Sequence, residues 1–381
     1  MPQRAARAQP FKQPDWSGRA IDGFGRLVHR AAAHPLQGQR QHGDERQGMA
    51  VLVTGAAGFI GFHVAARLLA RGDRVVGLDN MNAYYSPRLK ADRLAQLAGM
   101  GGDFRFLKVD FADWAALSAA CEGLELDAIV HLGAQAGVRH SIENPHVYAS
   151  ANLVGHLNML ELGRRLGGAC RHLVYASSSS VYGANTKLPF AVEDRVDQPI
   201  SLYAATKKAD ELMSEAYAHL YRLPQTGLRF FTVYGPWGRP DMAMWLFTQA
   251  ILEGRPIAVF NGGDMRRDFT FIDDIVSGVV SCLDNPPPDD GAPKAGGSVS
   301  PHRIYNIGNN RSEELGRLIT LIEAACGRPA VRELRPMQPG DVKETYADIT
   351  AIQRDLGFQP TTSIDEGVPA FVRWYRGYHG V

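Results

Sequence analysis

The chain has 381 residues, which at roughly 150 residues per domain leaves room for one large α/β unit or two closely joined domains. Hydrophobic residues make up 45% and charged residues 21%, a balance that supports a sizeable core and excludes a chain disordered throughout. Lys+Arg 41 against Asp+Glu 40 leaves +1, so neither a nucleic-acid groove nor an anionic membrane surface is expected as partner.

Residues 1–48 carry eight Lys and Arg against four Asp and Glu, show no sustained period, and run up to Met49 just before an apolar strand. Asp15, Asp22, Asp44 and Glu45 are the wrong composition for a transit peptide, and there is no apolar signal core. A disordered or misannotated leader is expected there, with the folded chain starting at Met49. From that point short β-branched runs alternate with amphipathic stretches, the pattern of βαβ units on a parallel sheet. Strands are expected at 50–54, 74–78, 104–109, 127–132, 172–177 and 226–231. Helices are expected at 60–71, 86–97, 114–121, 147–166 and 202–221. The prediction is an α/β fold, a Rossmann-type doubly wound parallel sheet over 49–234. After Tyr234 the rhythm becomes Pro/Gly-punctuated, with helices near 241–253, 272–283, 312–325 and 364–375. Residues 235–381 therefore read as a smaller substrate-binding lobe, with some strands and helices exchanged between the two. The Pro- and Gly-rich stretch 284–301 reads as a mobile surface loop.

Cys121, Cys170, Cys282 and Cys326 are scattered without a C-x-x-C pair, which argues against a disulfide framework or a Cys-rich zinc site and fits a reducing cytoplasm. No apolar run approaches the roughly 18 residues needed to span a bilayer. His131, His140, His146 and His156 lack metal-ligand spacing, and packing or loop roles are expected for them. Asp273 and Asp274 open a helical stretch and are expected to cap it rather than form a catalytic pair. Trp245, Phe247, Trp374 and Tyr375 read as core.

Thr54-Gly55-Ala56-Ala57-Gly58-Phe59-Ile60-Gly61 lies where the first strand turns into the first helix, so its glycines allow close approach of a pyrophosphate to the helix N-terminus. Asp79 follows Gly61 by 18 residues at the end of the second strand, beside Asn80. Its carboxylate can accept the adenosine ribose hydroxyls and repels a 2′-phosphate, so NAD is expected over NADP. Tyr203 and Lys207 share one helix face at i,i+4. With thirteen Tyr and eight Lys in the chain, such a pair arises by chance about 0.3 times, so alone it is weak. The run Ser177-Ser178-Ser179-Ser180, at the strand end where ligands bind in doubly wound sheets, gives it a context. A lysine ammonium, with a positively charged nicotinamide nearby, favours the ionised phenol of Tyr203 as a general base while a serine hydroxyl holds the reacting oxygen.

Over nearly all of 49–381 the chain resembles the extended short-chain dehydrogenase/reductase superfamily, and within it the nucleotide-sugar 4-epimerases. The likeness is greatest to those acting on UDP-glucuronate. It is carried by Thr54–Gly61, 78–85, 131–139, 177–183, Tyr203/Lys207, 229–241 and 338–342. The resemblance implies that Ser178, Tyr203 and Lys207 are catalytic. It implies cofactor contacts from Gly55, Gly58, Phe59, Ile60, Gly61, Asp79, Asn80, Leu132 and Val233. By the same likeness Asp110 and Phe111 flank the adenine, and Ala134, Gln135 and Asn152 line the cofactor cleft. Gly133 departs from the alanine usual in that stretch, a change expected to be tolerated.

Related dehydratases and decarboxylases place Asp or Glu just before Val181-Tyr182-Gly183, where this chain has Ser179 and Ser180, so no second acid/base is supplied there. Arg239 is the candidate for gripping a uronate carboxylate as a planar two-point pair. Thr232 stands where UDP-glucose/galactose 4-epimerases resemble one another in having asparagine, which favours the uronate. Ser178 and Ser179 are expected to orient the sugar, and Arg267, Gln338 and Asp341 look like the diphosphate and uridine-ribose contacts. The resemblance implies an NAD-dependent epimerase of a UDP-sugar, most like UDP-glucuronate, serving polysaccharide biosynthesis as a homodimer paired through its two long helices. Epimerisation of another UDP-hexose and a catalytically silent NAD-binding regulator are the alternatives.

Overall fold

The computed structural model describes residues 48–338 and 340–381, so the expected leader lies outside the described residues except for Gly48. In chain order the principal elements are β1 (Ala50–Thr54), α1 (Phe59–Arg71), β2 (Arg74–Asp79), α2 (Pro87–Gly99), β3 (Phe104–Lys108), α3 (Trp114–Cys121) and β4 (Ala128–His131). There follow α4 (Gly155–Leu166), β5 (His172–Ser178), α5 (Leu202–Tyr221), β6 (Gln225–Phe230), β7 (Thr232–Tyr234), α6 (Ala243–Glu253), β8 (Ile257–Phe260) and β9 (Phe269–Phe271). The chain closes with α7 (Ile272–Asp284), β10 (His302–Ile307), α8 (Leu315–Cys326), β11 (Arg332–Arg335) and α9 (Ile364–His379).

Seven strands make one sheet in the order β10-β6-β5-β4-β1-β2-β3, with every neighbouring pair parallel. This is the doubly wound sheet expected from the sequence. All five residues of β1 are buried, because helices cover both faces of a parallel sheet and its central strands must be apolar throughout. α1 stops at Gly72, whose φ of 92° and N–H bond to the Leu69 carbonyl close the helix in a left-handed cap. α5 starts where the Ser201 side chain accepts the Ala204 N–H at 3.1 Å.

The seventh strand, β10, comes from the 235–381 segment and pairs with β6 at the sheet edge, while α7 from the same segment packs on α1. The helix expected over 147–166 is interrupted by a π-helical turn at Ala149–Val154. Asp274 does not cap α7: its carboxylate accepts Thr361 N–H and Oγ1–H at 3.1 and 3.2 Å and Thr362 N–H at 3.0 Å, tying the chain before α9 to the sheet layer. The 285–301 stretch has no regular element, yet it is anchored: the buried Ala295 accepts the Ile304 N–H at 2.9 Å, and Asp289 pairs with Arg222.

The later segment packs α6, α8 and α9 beside two small parallel pairs, β7/β9 and β8/β11. Trp245 meets Tyr375 edge-on at 5.2 Å and Trp374 at 5.6 Å, so the aromatic cluster is core, as expected. All four cysteines are buried and unpaired. Among the described residues no helix is long and apolar enough to cross a membrane.

Candidate active site

Strand order reverses between β1 and β4, so the loops leaving their C-terminal ends diverge and open a crevice. A cleft of about 1000 Å³ occupies it and extends over β5 toward α6 and β8. The glycine turn forms its floor. Gly55 has φ +69°, and a Cβ there would sit 2.8 Å from the Gly133 nitrogen; a Cβ on Gly61 would sit 2.1 Å from the Gly55 carbonyl oxygen. Only glycine lets the turn close on β4 and on α1 together, which bares the N-terminal end of α1 to the cleft. Thr54 Oγ1 accepts the Gly133 N–H at 3.0 Å and lies 2.7 Å from His131 Nδ1. Burial pushes His131 down to about 3, so it is a neutral hydrogen-bonding ring that braces the turn.

Asp79 ends β2 in the cleft and accepts the Met81 N–H at 2.8 Å, leaving its second oxygen for a ribose. The cradle that a Cβ would fill, the bared helix end and this carboxylate fit a dinucleotide.

Phe111 lies against two glycines: a Cβ on Gly133 would come 2.6 Å from its ring, and one on Gly155 2.3 Å. Gly133 is therefore more than a tolerated departure, because its missing Cβ is the space that Phe111 fills. Leu132, Ala134, Gln135, Phe59, Ile60, Gly58, Asn80 and Val233 also line the cleft. Asn152 lies behind that wall, where its Oδ1 accepts the Gln135 N–H at 2.8 Å and its Nδ2 donates to Thr206 Oγ1 at 3.0 Å. Asp110 also stands outside the lining, accepting from Asn80 Nδ2 at 3.1 Å and from Ala112 N–H at 2.9 Å.

β5 and α5 bring the candidate catalytic groups to the same cleft. The run Ser177–Ser180 lines the cleft, and within it the Ser177 hydroxyl is committed to the buried Glu211, to which its Oγ donates at 2.7 Å. Tyr203 and Lys207 line it from one face of α5. The Lys207 ammonium donates to the Ala176 carbonyl and to Asp210 Oδ2, each at 3.0 Å. A phenol, an ammonium and a hydroxyl thus share a space with the dinucleotide cradle, the set required to take a proton from an alcohol while a hydride leaves its carbon.

Residues 52–371 match the family described as GDP-mannose 4,6 dehydratase. The chain belongs to that family. It is similar to a probable UDP-glucuronate 4-epimerase of Rhizobium meliloti, 50% identical over 333 residues, covering 86% of this chain and 97% of the relative. It is similar in structure to the UDP-glucuronic acid 4-epimerase of Bacillus cereus in complex with UDP-glucuronic acid and NAD, at 30% identity and TM-score 0.75, covering 87% of this chain and all of that one. A UDP-glucose 4-epimerase of Thermotoga maritima with UDP-glucose is also similar, at 27% identity and TM-score 0.76, over 87% and 100% of the two chains.

In this member of the GDP-mannose 4,6 dehydratase family the far end of the cleft is cationic. Arg267 lines it, and among the described residues its guanidinium donates only to two backbone carbonyls, those of Arg266 at 2.8 Å and Lys343 at 3.0 Å. Burial pushes that guanidinium down, and Asp341 nearby opposes the shift. Asp341 lines the cleft too, 3.3 Å from Arg139, while Gln338 stays outside the lining and its carbonyl accepts the Asp341 N–H at 3.2 Å. Thr232 and Arg239 both line the cleft, but the Arg239 fork is already engaged: Nε and Nη2 donate to the two Asp241 oxygens at 3.0 and 2.5 Å.

Tyr84 donates to the same Asp241 carboxylate at 3.1 Å, its phenol pushed up to about 12 by burial and the Asp241 charge. Tyr84, Arg139, Asp241 and the buried Lys90, 3.7 Å from Asp79, are cleft residues that reading the sequence left unassigned. Tyr84 stood within the stretch that carried the family likeness. Lys90 offered no sequence signal, because only helix packing turns it inward.

Proposed function

We propose that the protein is an NAD-dependent UDP-glucuronate 4-epimerase. The observation that carries this reading is Ser178, Tyr203 and Lys207 sharing one cleft with the Gly55–Gly61 cradle, with serines at 179 and 180 where dehydration would call for an acid. When bound, NAD accepts a hydride from sugar C4 and gives it back. Tyr203 takes the C4 hydroxyl proton as its phenolate and returns it after the 4-keto sugar has turned its other face. Lys207 holds positive charge beside the phenolate, and Ser178 hydrogen-bonds the C4 oxygen. Asp79 receives the adenosine ribose, and Arg267, whose guanidinium donates to backbone carbonyls rather than to a carboxylate, receives the diphosphate. The carboxylate of the sugar would take the remaining Nη1 face of Arg239 or displace Asp241.

The test is proton NMR of the protein with UDP-glucuronate in deuterated buffer without added reductant. UDP-galacturonate retaining hydrogen at C4 is expected. Incorporation of deuterium at C4 would sink internal hydride return, and no conversion of UDP-glucuronate, UDP-glucose or its N-acetyl analogue would leave a silent NAD-binding protein.

The Arg239–Asp241 pair favours one second reading, epimerisation of an uncharged UDP-hexose. Arg239→Ala separates the two: on the uronate reading kcat/KM should fall about 100-fold for UDP-glucuronate, the worth of a charge-assisted contact of roughly 2 to 3 kcal/mol. An equal fall for UDP-glucose would overturn the assignment of Arg239. The reading includes a homodimer, supported by exposed Val154 and Leu157 near and on α4 and Leu212 and Leu220 on α5, which leave an apolar face on the two long helices. Light scattering should return twice the chain mass.

A further inference from the structure

The buried face of α5 carries more charge than the proposed reaction uses. Lys207, Asp210, Glu211 and Ser214 all lie on it. Glu211 is fully committed, to Ser177, Arg229 and Lys208. Asp210 is not. Its side chain is completely inaccessible, its Oδ2 accepts from Lys207 at 3.0 Å, and its Oδ1 has no hydrogen-bond partner among the described residues. A buried carboxylate with one oxygen unsatisfied is costly unless it serves a neighbour.

That neighbour has three N–H donors. Ala176 and Asp210 hold two of them, and the third is left for the cleft that Lys207 lines. Among the described residues the other titratable groups around Asp210 are Glu211 on its own helix, His156 on α4 and Tyr175 on β5, with His131 of β4 beyond Lys207. Burial holds both histidines neutral and the Tyr175 phenol protonated. Glu211 has Arg229 as its own counter-charge. Asp210 is therefore the anion that faces the Lys207 ammonium directly.

We propose that Asp210 is a positioning residue for the Tyr203–Lys207 pair, aiming the ammonium at the cleft and offsetting part of the positive charge that stabilises the Tyr203 phenolate. This rests on the reading of Tyr203 as the base. Burial raises the Asp210 carboxyl to about 6, against the pull of Lys207, so the offset is present above that pH and fades below it.

Asp210→Asn keeps an acceptor for Lys207 and removes the charge; Asp210→Ala removes both. The readout is the phenolate absorbance of Tyr203 in NAD-loaded protein, taken as the difference between each protein and its Tyr203→Phe counterpart. Both variants should titrate Tyr203 about one pH unit lower than the unsubstituted protein. The acid limb of kcat/KM for UDP-glucuronate should move by the same amount. In addition the Ala variant should lose about tenfold in kcat with KM within about twofold, and Asn should restore most of that loss. An unmoved Tyr203 titration in whichever variant folds would overturn the proposal, because lost packing alone lowers activity without shifting the phenol downward. A shifted titration in a protein that turns over no UDP-sugar would leave the coupling intact and refute only the epimerase reading.

Discussion

At the scale of single residues, the cleft depends as much on atoms that are missing as on those present. Gly133 is the clearest case, since the ring of Phe111 occupies the volume where a side chain would begin. Gly133→Ala should cost about 1 to 3 kcal/mol through overpacking and should displace Phe111 from the cofactor side of the cleft. Thermal melts with and without added NAD check both effects: a lower Tm and a smaller NAD-induced rise are expected, and an unchanged melt would show that the ring can move aside freely. The roles of Gly55 and Gly61 were legible in the sequence because spacing alone puts them at a strand-to-helix turn. That of Gly133 was not, because Phe111 lies 22 residues away in the loop after β3 and no local pattern marks the meeting. Arg239 shows the same limit from the opposite direction. Its type and its place in the cleft could be anticipated, but its ion pair with Asp241 could not.

At the scale of elements, α5 is fastened to the sheet by a buried ion pair. Arg229 of β6 donates from Nε and Nη2 to both Glu211 oxygens at 2.8 and 3.0 Å, and Ser177 of β5 joins them, so the strand end carrying Ser178 and the helix carrying Tyr203 are held as one unit. Burial pushes the Glu211 carboxyl up, but Arg229 more than offsets this, and the group ends below its ordinary value. A carboxyl depressed on folding adds stability that is complete above its unfolded value, about 4.3, and disappears as pH falls through the lower folded value. Glu211→Gln should cost about 3 kcal/mol at pH 7, because it strands the buried Arg229. It should also flatten the loss of stability below pH 4.3. Urea titrations of both proteins at pH 7 and pH 4 measure this, and parallel losses in the two would assign the acid sensitivity elsewhere.

At the scale of the molecule, the sheet is completed from both halves of the chain. β10 covers the edge of β6, and α7 covers α1. A fragment of residues 49–234 would bare the Gln225–Phe230 edge together with the apolar face of α1, and an unpaired parallel edge invites association. Such a fragment is expected to elute as aggregate in size-exclusion chromatography, whereas 49–381 should elute as a discrete species. A monodisperse, NAD-binding fragment would show that the first half folds independently.

What the sequence determined by itself follows from short-range physics. Buried parallel strands must be apolar runs, amphipathic helices must separate them, and glycine must occupy a turn where a Cβ would strike backbone. Those rules located β1 to β6, the dinucleotide turn, Asp79 and the Tyr203/Lys207 pair within a residue or two of where they stand. Only the tertiary structure decided the rest. It recruited β10 into the sheet, tied Ser177 to Glu211, bound Arg239 to Asp241, and placed Asp210 against Lys207. Each of these is an interaction whose energy depends on distance and burial between groups that packing, rather than spacing along the chain, brings together.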